Sequence, residues 1–515
     1  MSEDDALPGR PNWALWPLSD AMRLRAIVCM QDSDASRGFV LTDEFPADLL
    51  RQAVSRRCAG VALSWSVTSA ERLDACLAQG ERDYRALTAA HAFSDIAPER
   101  LRLDAHAISV ETIARSDSPV LKLLDATLFD AYRAHASDVH FENSGEGMRI
   151  RQRLDGVMRT VGTVASHERS EQLVSRLKVL AELDIGEARL PQDGRFKLNV
   201  ADRDVDFRLS IMPTAYGEDA VVRLLDRGSP RNDRAPLSLE SLGFDADDCD
   251  LVRAMARRPY GMLIVTGPTG SGKTTTLYAV IGEINEGLDK IITIEDPVEY
   301  QLSGVVQIPV NEKKGLTFAR GLRSVLRHDP DRVMVGEIRD TETAQIATQA
   351  ALTGHMVLTT IHASNALDVV GRLMHMGLDL YNLVAALHGV LAQRLLRRVC
   401  SHCAVAATLS GQDVEMLERF RAAEASDAVV PEERWMRACG CAECFGTGYR
   451  GRRAVAEILQ MDDVLRDLIA GRAPMSVLKE QVRGRGARSL RQAAIRAARM
   501  GHTTLEEVRR VTLAD

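Results

Sequence analysis

Residues Gly267, Pro268, Thr269, Gly270, Ser271, Gly272, Lys273 and Thr274 place glycines at both ends of a short loop and close it with a lysine and a hydroxyl. An apolar run at 262–266 precedes them and helical sequence follows. In that context the pattern is a phosphate loop rather than a chance glycine-rich turn. Glycines let the backbone curl until its N–H groups and the next helix N-terminus face phosphate oxygens. Lys273 is suited to neutralising the β and γ charges of ATP, and Thr274 to offering its hydroxyl to Mg2+.

Hydrolysis also needs acidic groups near the phosphates to serve the metal ion and orient water. Two clusters stand where parallel strands would end: Glu295, Asp296 and Glu299 after 291–294, and Glu337 after 333–336. Alone, an acid after a strand is ordinarily a turn; beside a phosphate loop these become catalytic candidates. The expected division gives water to Glu299 and the metal-bound network to Glu337. His355 and His362 bracket the run 356–361. They are either structural strand-end histidines or groups that sense the γ-phosphate or couple it to the next subunit. Cys400, Cys403, Cys441 and Cys444 form two Cys-x-x-Cys pairs, the ligand set of a structural Zn2+, with His402 and Cys439 as nearby competitors. Four thiolates leave no open position for water, which argues against a catalytic zinc.

Those groups need elements to hold them. Short apolar segments at 262–266, 291–294, 333–335 and 357–361 alternate with helical sequence from 273, 317 and 341. This is the pattern of a doubly wound α/β core. Before it, strand-like pieces at 137–142, 148–151, 197–200 and 205–211 follow a helix opening at Ser118 and Pro119. In the last piece Val205, Phe207, Leu209 and Ile211 alternate with polar residues, leaving Arg208 on the open face. Residues 226–236 have the composition of a linker. The stretch 459–511, rich in Arg, Ala and Leu, predicts helices.

A chain of 515 residues, 45% hydrophobic, has material for several cores. A formal charge of -7 gives no basic footprint, and aromatics at 4% with no interleaved basic run disfavour a strand-translocating helicase or packaging motor. No nucleic-acid partner is expected. With no apolar run long enough to span a bilayer and no leader-like N-terminus, a cytoplasmic location is expected.

From residue 118 to the C-terminus the chain resembles the secretion ATPase superfamily, above all its GspE/PulE-like type II secretion and PilB-like type IV pilus assembly branches. The resemblance rests on ordered blocks: Ala-Ser-Asp-Val-His at 136–140, Leu-Pro-Gln-Asp-Gly-Arg at 190–195, the phosphate loop, Ile-Glu-Asp-Pro-Val-Glu-Tyr at 294–300, Leu-Thr-Phe-Ala-Arg at 316–320, 353–362, the cysteine pairs and Thr-Gly-Tyr-Arg-Gly-Arg at 447–452. Residues 1 to about 110 depart from the N-terminal domains expected of that family.

The resemblance implies a homo-hexameric ring that hydrolyses ATP to drive pseudopilus assembly and protein export, with pilus extension as the alternative. It implies docking to inner-membrane platform proteins, and so peripheral association with that membrane. It implies a RecA-like P-loop core at 237–398, a smaller α+β, PAS-like domain at 116–228 and a linker at 229–236. Around them it places an N-terminal partner-docking domain at 1–115, a tetracysteine zinc insertion at 399–450 and a helical region at 451–515. Glu295 to Glu299 match the family's aspartate-rich box, Glu337 its Walker B acid, and His355 and His362 its histidine box. Arg195 and Arg208 match arginine fingers that reach the γ-phosphate. Arg320, Arg323 and Arg327 are either further cations for that site or a solvated face. A scaffold that binds nucleotide without hydrolysing it would have to lack the acids present at Glu299 and Glu337.

Overall fold

The computed structural model describes residues 10–83, 107–225, 237–421 and 433–512, apart from 14, 32–33, 45–47, 59–60, 110–111 and 114–117. The linker expected at 229–236 lies outside the described residues. Two compact units are present, Met1–Gly228 and Ser229–Asp515.

The first unit contains two sheets. The smaller one orders β1 (Arg10–Pro11), β2 (Ala26–Gln31), β3 (Asp34–Thr42) and β4 (Ala62–Val67) side by side, with α1 (Leu18–Leu24) and α2 (Asp48–Arg57) between them in sequence and α3 (Ala70–Asp83) after β4. Trp16, Leu18, Ile27, Val40 and Leu73 fill its core, and the Trp16 indole N–H donates to the Ala26 carbonyl at 2.9 Å, so the ring is buried without an unpaired donor.

The larger sheet is built from β5 (Ala107–Ile108), β6 (Asp138–Ser144), β7 (Gly147–Leu154), β8 (Val157–Val164), β9 (Gln192–Val200), β10 (Arg203–Thr214) and β11 (Gly217–Leu225), in the order β5-β9-β10-β11-β6-β7-β8. Its helices are α4 (Pro119–Arg133) and α5 (His167–Leu180). Helix α4 starts where the sequence predicts: the Ser118 hydroxyl accepts from the Leu121 N–H, with Pro119 in the first turn. On β10 the predicted alternation holds, Val205, Phe207, Leu209 and Ile211 all pointing into the core. Strands β8 and β11 and helix α5 were not read from the sequence.

The second unit opens with α6 (Leu239–Leu242) and α7 (Ala246–Ala256), then β12 (Gly261–Thr266), α8 (Lys273–Ile284), β13 (Ile291–Glu295), β14 (Val306–Pro309), α9 (Phe318–Val325), β15 (Arg332–Val335), α10 (Thr341–Leu352), β16 (Met356–Ile361), α11 (Ala366–His375), α12 (Leu380–Ala386) and β17 (Leu387–Val399). It continues through β18 (Val405–Ala406), α13 (Gly411–Arg421), β19 (Met436–Arg437), β20 (Tyr449–Gln460), α14 (Asp463–Ala470), α15 (Met475–Gly484), α16 (Leu490–Arg499) and α17 (Leu505–Thr512). The sheet order is β14-β13-β15-β16-β12-β17-β20, parallel except for β20, which runs antiparallel to β17. Separate apolar clusters cover the two faces, which is why β12, β13 and β16 are buried along their whole length. This is the expected RecA-like α/β core.

One expectation is corrected. The region from 451 is not helical throughout, because its first ten residues belong to β20, which completes the core sheet; the helices begin only at Asp463. Among the described residues, no helix is long and apolar enough to cross a membrane.

Candidate nucleotide site and cysteine cluster

In a parallel sheet the loops after the strand C-termini gather along one edge, and here that edge collects most of the predicted residues. Strand β12 ends at Thr266 and the phosphate loop begins at Gly267, whose φ of +146° and close approach to β17 both require glycine. A Cβ there would lie 2.5 Å from the Gln393 carbonyl oxygen. Gly272, with φ +85°, caps α8 so that Lys273 and Thr274 stand in the helix's first turn. The Lys273 ammonium donates to the carbonyls of Gly267 at 3.0 Å and Pro268 at 3.1 Å. Burial pushes its pKa down, the Glu337 carboxylate opposes that shift, and the Arg394 charge adds to it.

The sequence reading missed the residue beneath the loop. Gln393 on β17 is buried, donates from its amide nitrogen to the Ser271 carbonyl at 2.7 Å and accepts from the Thr276 hydroxyl at 2.8 Å. The signal available was a polar Gln-Arg pair inside the apolar run 387–396. The Ser271 hydroxyl is itself buried with no hydrogen-bond partner. A buried hydroxyl without a partner, a lysine and a helix N-terminus at one curled loop fit the phosphates and Mg2+ of a nucleotide.

Glu337 follows β15. Its carboxylate pairs with Arg339 and lies 3.5 Å from the His362 imidazole, which follows β16. Arg339 also reaches Asp296 at 3.5 Å and lies over the Phe318 ring. Glu299 is exposed, and its backbone N–H contacts the Tyr278 hydroxyl at 3.4 Å.

Two candidates stand elsewhere. Glu295 is 2% exposed, and its oxygens accept from Thr293 at 2.5 Å, from Gln307 at 3.1 Å and from the Tyr278 hydroxyl. Both of its oxygens are engaged by these buried donors, whereas Asp296 and Glu299 are exposed. His355 precedes β16, and the Gly261 N–H donates to its carbonyl at 3.1 Å. With Gly261 opposite Met356 and Thr266 opposite Ile361, His355 sits at the far end of the sheet, about 20 Å from the phosphate loop at ~3.3 Å per strand residue. The structure therefore brings His362, but not His355, to this edge. Arg323 pairs with Glu342 at 2.5 Å, Arg320 donates to the Gly315 carbonyl, and Arg327 lies beyond the end of α9; the solvated-face reading accounts for them.

Arg195 and Arg208 belong to the first unit, directly opposite each other on β9 and β10. Arg223 on β11 is the next residue in the same row, and it binds Asp138 of β6 at 2.9 Å. Burial opposes ionisation of Asp138, yet hydrogen bonds from Arg223 and Ser137 hold its carboxyl below the usual range. The Asp of the block at 136–140 thus anchors the arginine row.

The four predicted thiols converge. Sulfur separations are 3.8 Å for Cys400 and Cys441, 3.8 Å for Cys403 and Cys444, and 3.7 Å for Cys441 and Cys444. A tetrahedral ion with metal–sulfur bonds of ~2.3 Å needs sulfurs about 3.8 Å apart. Backbone N–H groups of Gly440, Cys441 and Gly448 point at the sulfurs, as thiolates require. Although burial opposes it, those of Cys441 and Gly448 bring the Cys444 pKa down to about 7. His402 and Cys439 are exposed and outside the cluster.

Known proteins resemble this chain along most of its length. Residues 113–510 match the family described as type II/IV secretion system protein. The type II secretion system ATPase E of Vibrio cholerae is 45% identical over 399 residues, covering 78% of this chain and 76% of that protein. The type II secretion system protein E of Dickeya dadantii is 39% identical over 505 residues, 96% of each chain. That span reaches into the first 110 residues, which the sequence reading had left outside the resemblance. Among solved structures, the ATPase DotB of Yersinia pseudotuberculosis aligns with a TM-score of 0.54 at 19% identity, covering 77% of this chain and 94% of that one. The Legionella pneumophila ATPase DotB gives 0.53 at 18%, covering 75% and 94%. These two share the fold.

Proposed function

Because the chain belongs to the type II/IV secretion system protein family, we propose that it is the ATP-hydrolysing motor of a type II secretion system, assembling as a homo-hexamer and powering pseudopilus assembly and protein export. The observation that carries this reading is the set Lys273, Glu337 and His362 gathered along one sheet edge beside a phosphate loop. The names of the relatives supply the process.

In this reading Lys273 leaves the Gly267 and Pro268 carbonyls for the β- and γ-phosphate oxygens, a stronger charge-assisted bond. Thr274 and the acidic edge at Glu337 would hold Mg2+, which supplies charge neutralisation at the β- and γ-phosphates. Glu299, exposed on its loop, orients the attacking water, and His362 keeps Glu337 placed. Arg195 and Arg208, presented side by side by the first unit, supply positive charge as charge develops on the γ-phosphate. The first sheet of the chain docks an inner-membrane partner, which holds the motor at the membrane's cytoplasmic face.

Stimulation by that partner is the test of the secretion role. ATP turnover of the full-length chain is expected to rise severalfold when the cytoplasmic part of the candidate platform protein is added; unchanged turnover in a demonstrated complex would contradict the secretion-motor role.

The cysteine cluster would hold one Zn2+ per chain. Structural zinc contributes directly to folding free energy. Cys441→Ser is therefore expected to lose the metal, as read by elemental analysis, and to lower the melting temperature, while nucleotide affinity is retained. A parent chain purified without metal and as stable as one reconstituted with zinc would contradict it.

A further inference from the structure

The loop carrying His362 is fastened to its surroundings from two sides. From within, the buried Thr266 hydroxyl, one residue before the phosphate loop, donates to the Ile361 carbonyl at 2.9 Å and accepts from the Ala363 N–H at 2.9 Å. Beside it, the Thr360 hydroxyl donates to the Gly336 carbonyl at 2.7 Å and the Ile338 N–H to the Thr360 carbonyl at 2.9 Å, so hydrogen bonds tie the strand end before His362 to the loop bearing Glu337. From the other side comes Arg394 of β17. Its Nη2 donates to the Ser364 carbonyl at 2.8 Å and its Nη1 to the Gln393 carbonyl at 3.2 Å.

The Gln393 carbonyl is the atom against which Gly267 packs, and the Gln393 side chain holds the Ser271 carbonyl and Thr276. One guanidinium therefore spans the gap between the floor of the phosphate loop and the His362 loop. We propose that Arg394 is a positioning residue for ATP hydrolysis. It sets the distance between the phosphates, held by the loop, and the His362–Glu337 pair, and so governs turnover rather than nucleotide binding. This role rests on the ATPase reading above.

The geometry favours arginine for a physical reason. A planar fork with several N–H donors serves two carbonyls at fixed separation, whereas an ammonium on a flexible stem holds one at a time. Without the bridge both loops remain folded, because Thr266, Thr360 and Gln393 still hold them, but their spacing loosens. A misplacement of about 1 Å in a reacting constellation costs about 10²-fold in rate.

The test uses full-length Arg394→Gln and Arg394→Lys, with kcat, KM for ATP, equilibrium affinity for a fluorescent ATP analogue, and melting temperature measured on the same preparations. Arg394→Gln is expected to lower kcat by roughly 30- to 100-fold. Nucleotide affinity should stay within about threefold, and Arg394→Lys should recover only part of the rate. In the background of His362→Ala, Arg394→Gln is expected to add little, because residues acting through one another are not additive. A kcat within twofold of the parent, a matching fall in affinity or melting temperature, or full additivity with His362→Ala would each overturn the role. A parent chain that binds the analogue and never releases phosphate would instead overturn the ATPase reading, and the role with it.

Discussion

Replacing Lys273 by alanine is expected to abolish ATP binding at micromolar nucleotide and, with it, all turnover. The ammonium is half-buried at the mouth of the phosphate loop and bonded to two loop carbonyls that a phosphate can replace as its partners. Truncating one partner of a buried, hydrogen-bonded charge pair costs about 2–5 kcal/mol. That corresponds to a loss of affinity between roughly 30-fold and several thousandfold. The fold should survive, since Gly267, Gly272 and Gln393 shape the loop without the lysine. Titration with a fluorescent ATP analogue, alongside thermal melting, checks both halves; an affinity within a factor of three of the parent would mean that the phosphates are held elsewhere.

Glu337→Gln is expected to separate binding from chemistry. The amide keeps nearly the shape of the carboxylate but loses its charge, which now faces Arg339 and His362 and raises the Lys273 pKa. Binding should persist, because the phosphate-loop contacts are untouched. Turnover should fall by roughly 10²-fold or more, because a metal ion held about 1 Å out of place misaligns the reacting groups. Rapid-quench measurement of phosphate formation on bound ATP reads the chemical step directly. Equal losses of affinity in this variant and in Lys273→Ala would contradict the separate roles, since only a shared binding defect gives that pattern.

Much of this site is legible in the sequence because its chemistry is local. The phosphate loop carries its strand, its glycines and its lysine within a few residues, and the cysteine pairs carry their chelate spacing. Side-chain direction is what the sequence hides. Thr293 and Glu295 are two residues apart on β13 and so share a face; that face is buried, and the carboxylate goes to Tyr278 and Gln307 instead of solvent. Likewise His355 and His362 look equivalent as a bracketing pair, yet a strand has a beginning and an end, and only the end meets the phosphate loop.

Strands β17 and β20 were missed for a related reason. A strand covered on both faces loses the alternation that identifies it, so 387–396 reads as apolar sequence of either kind and 454–459 falls into the region expected to be helical. Gln393 and Arg394 went unread with their strand, although β17 joins the phosphate loop to Cys400 in a single 13-residue element. The arginine row Arg195, Arg208 and Arg223 is a product of register between three strands, which no local spacing encodes.

The central claim, a motor whose active site hydrolyses ATP when chains assemble, is tested most directly by phosphate release from the full-length parent chain with Mg2+ and ATP across a series of protein concentrations. The predicted result is release whose specific activity rises steeply with concentration, as subunits form the ring. Absence of release at every concentration, in protein shown to bind ATP, would contradict it.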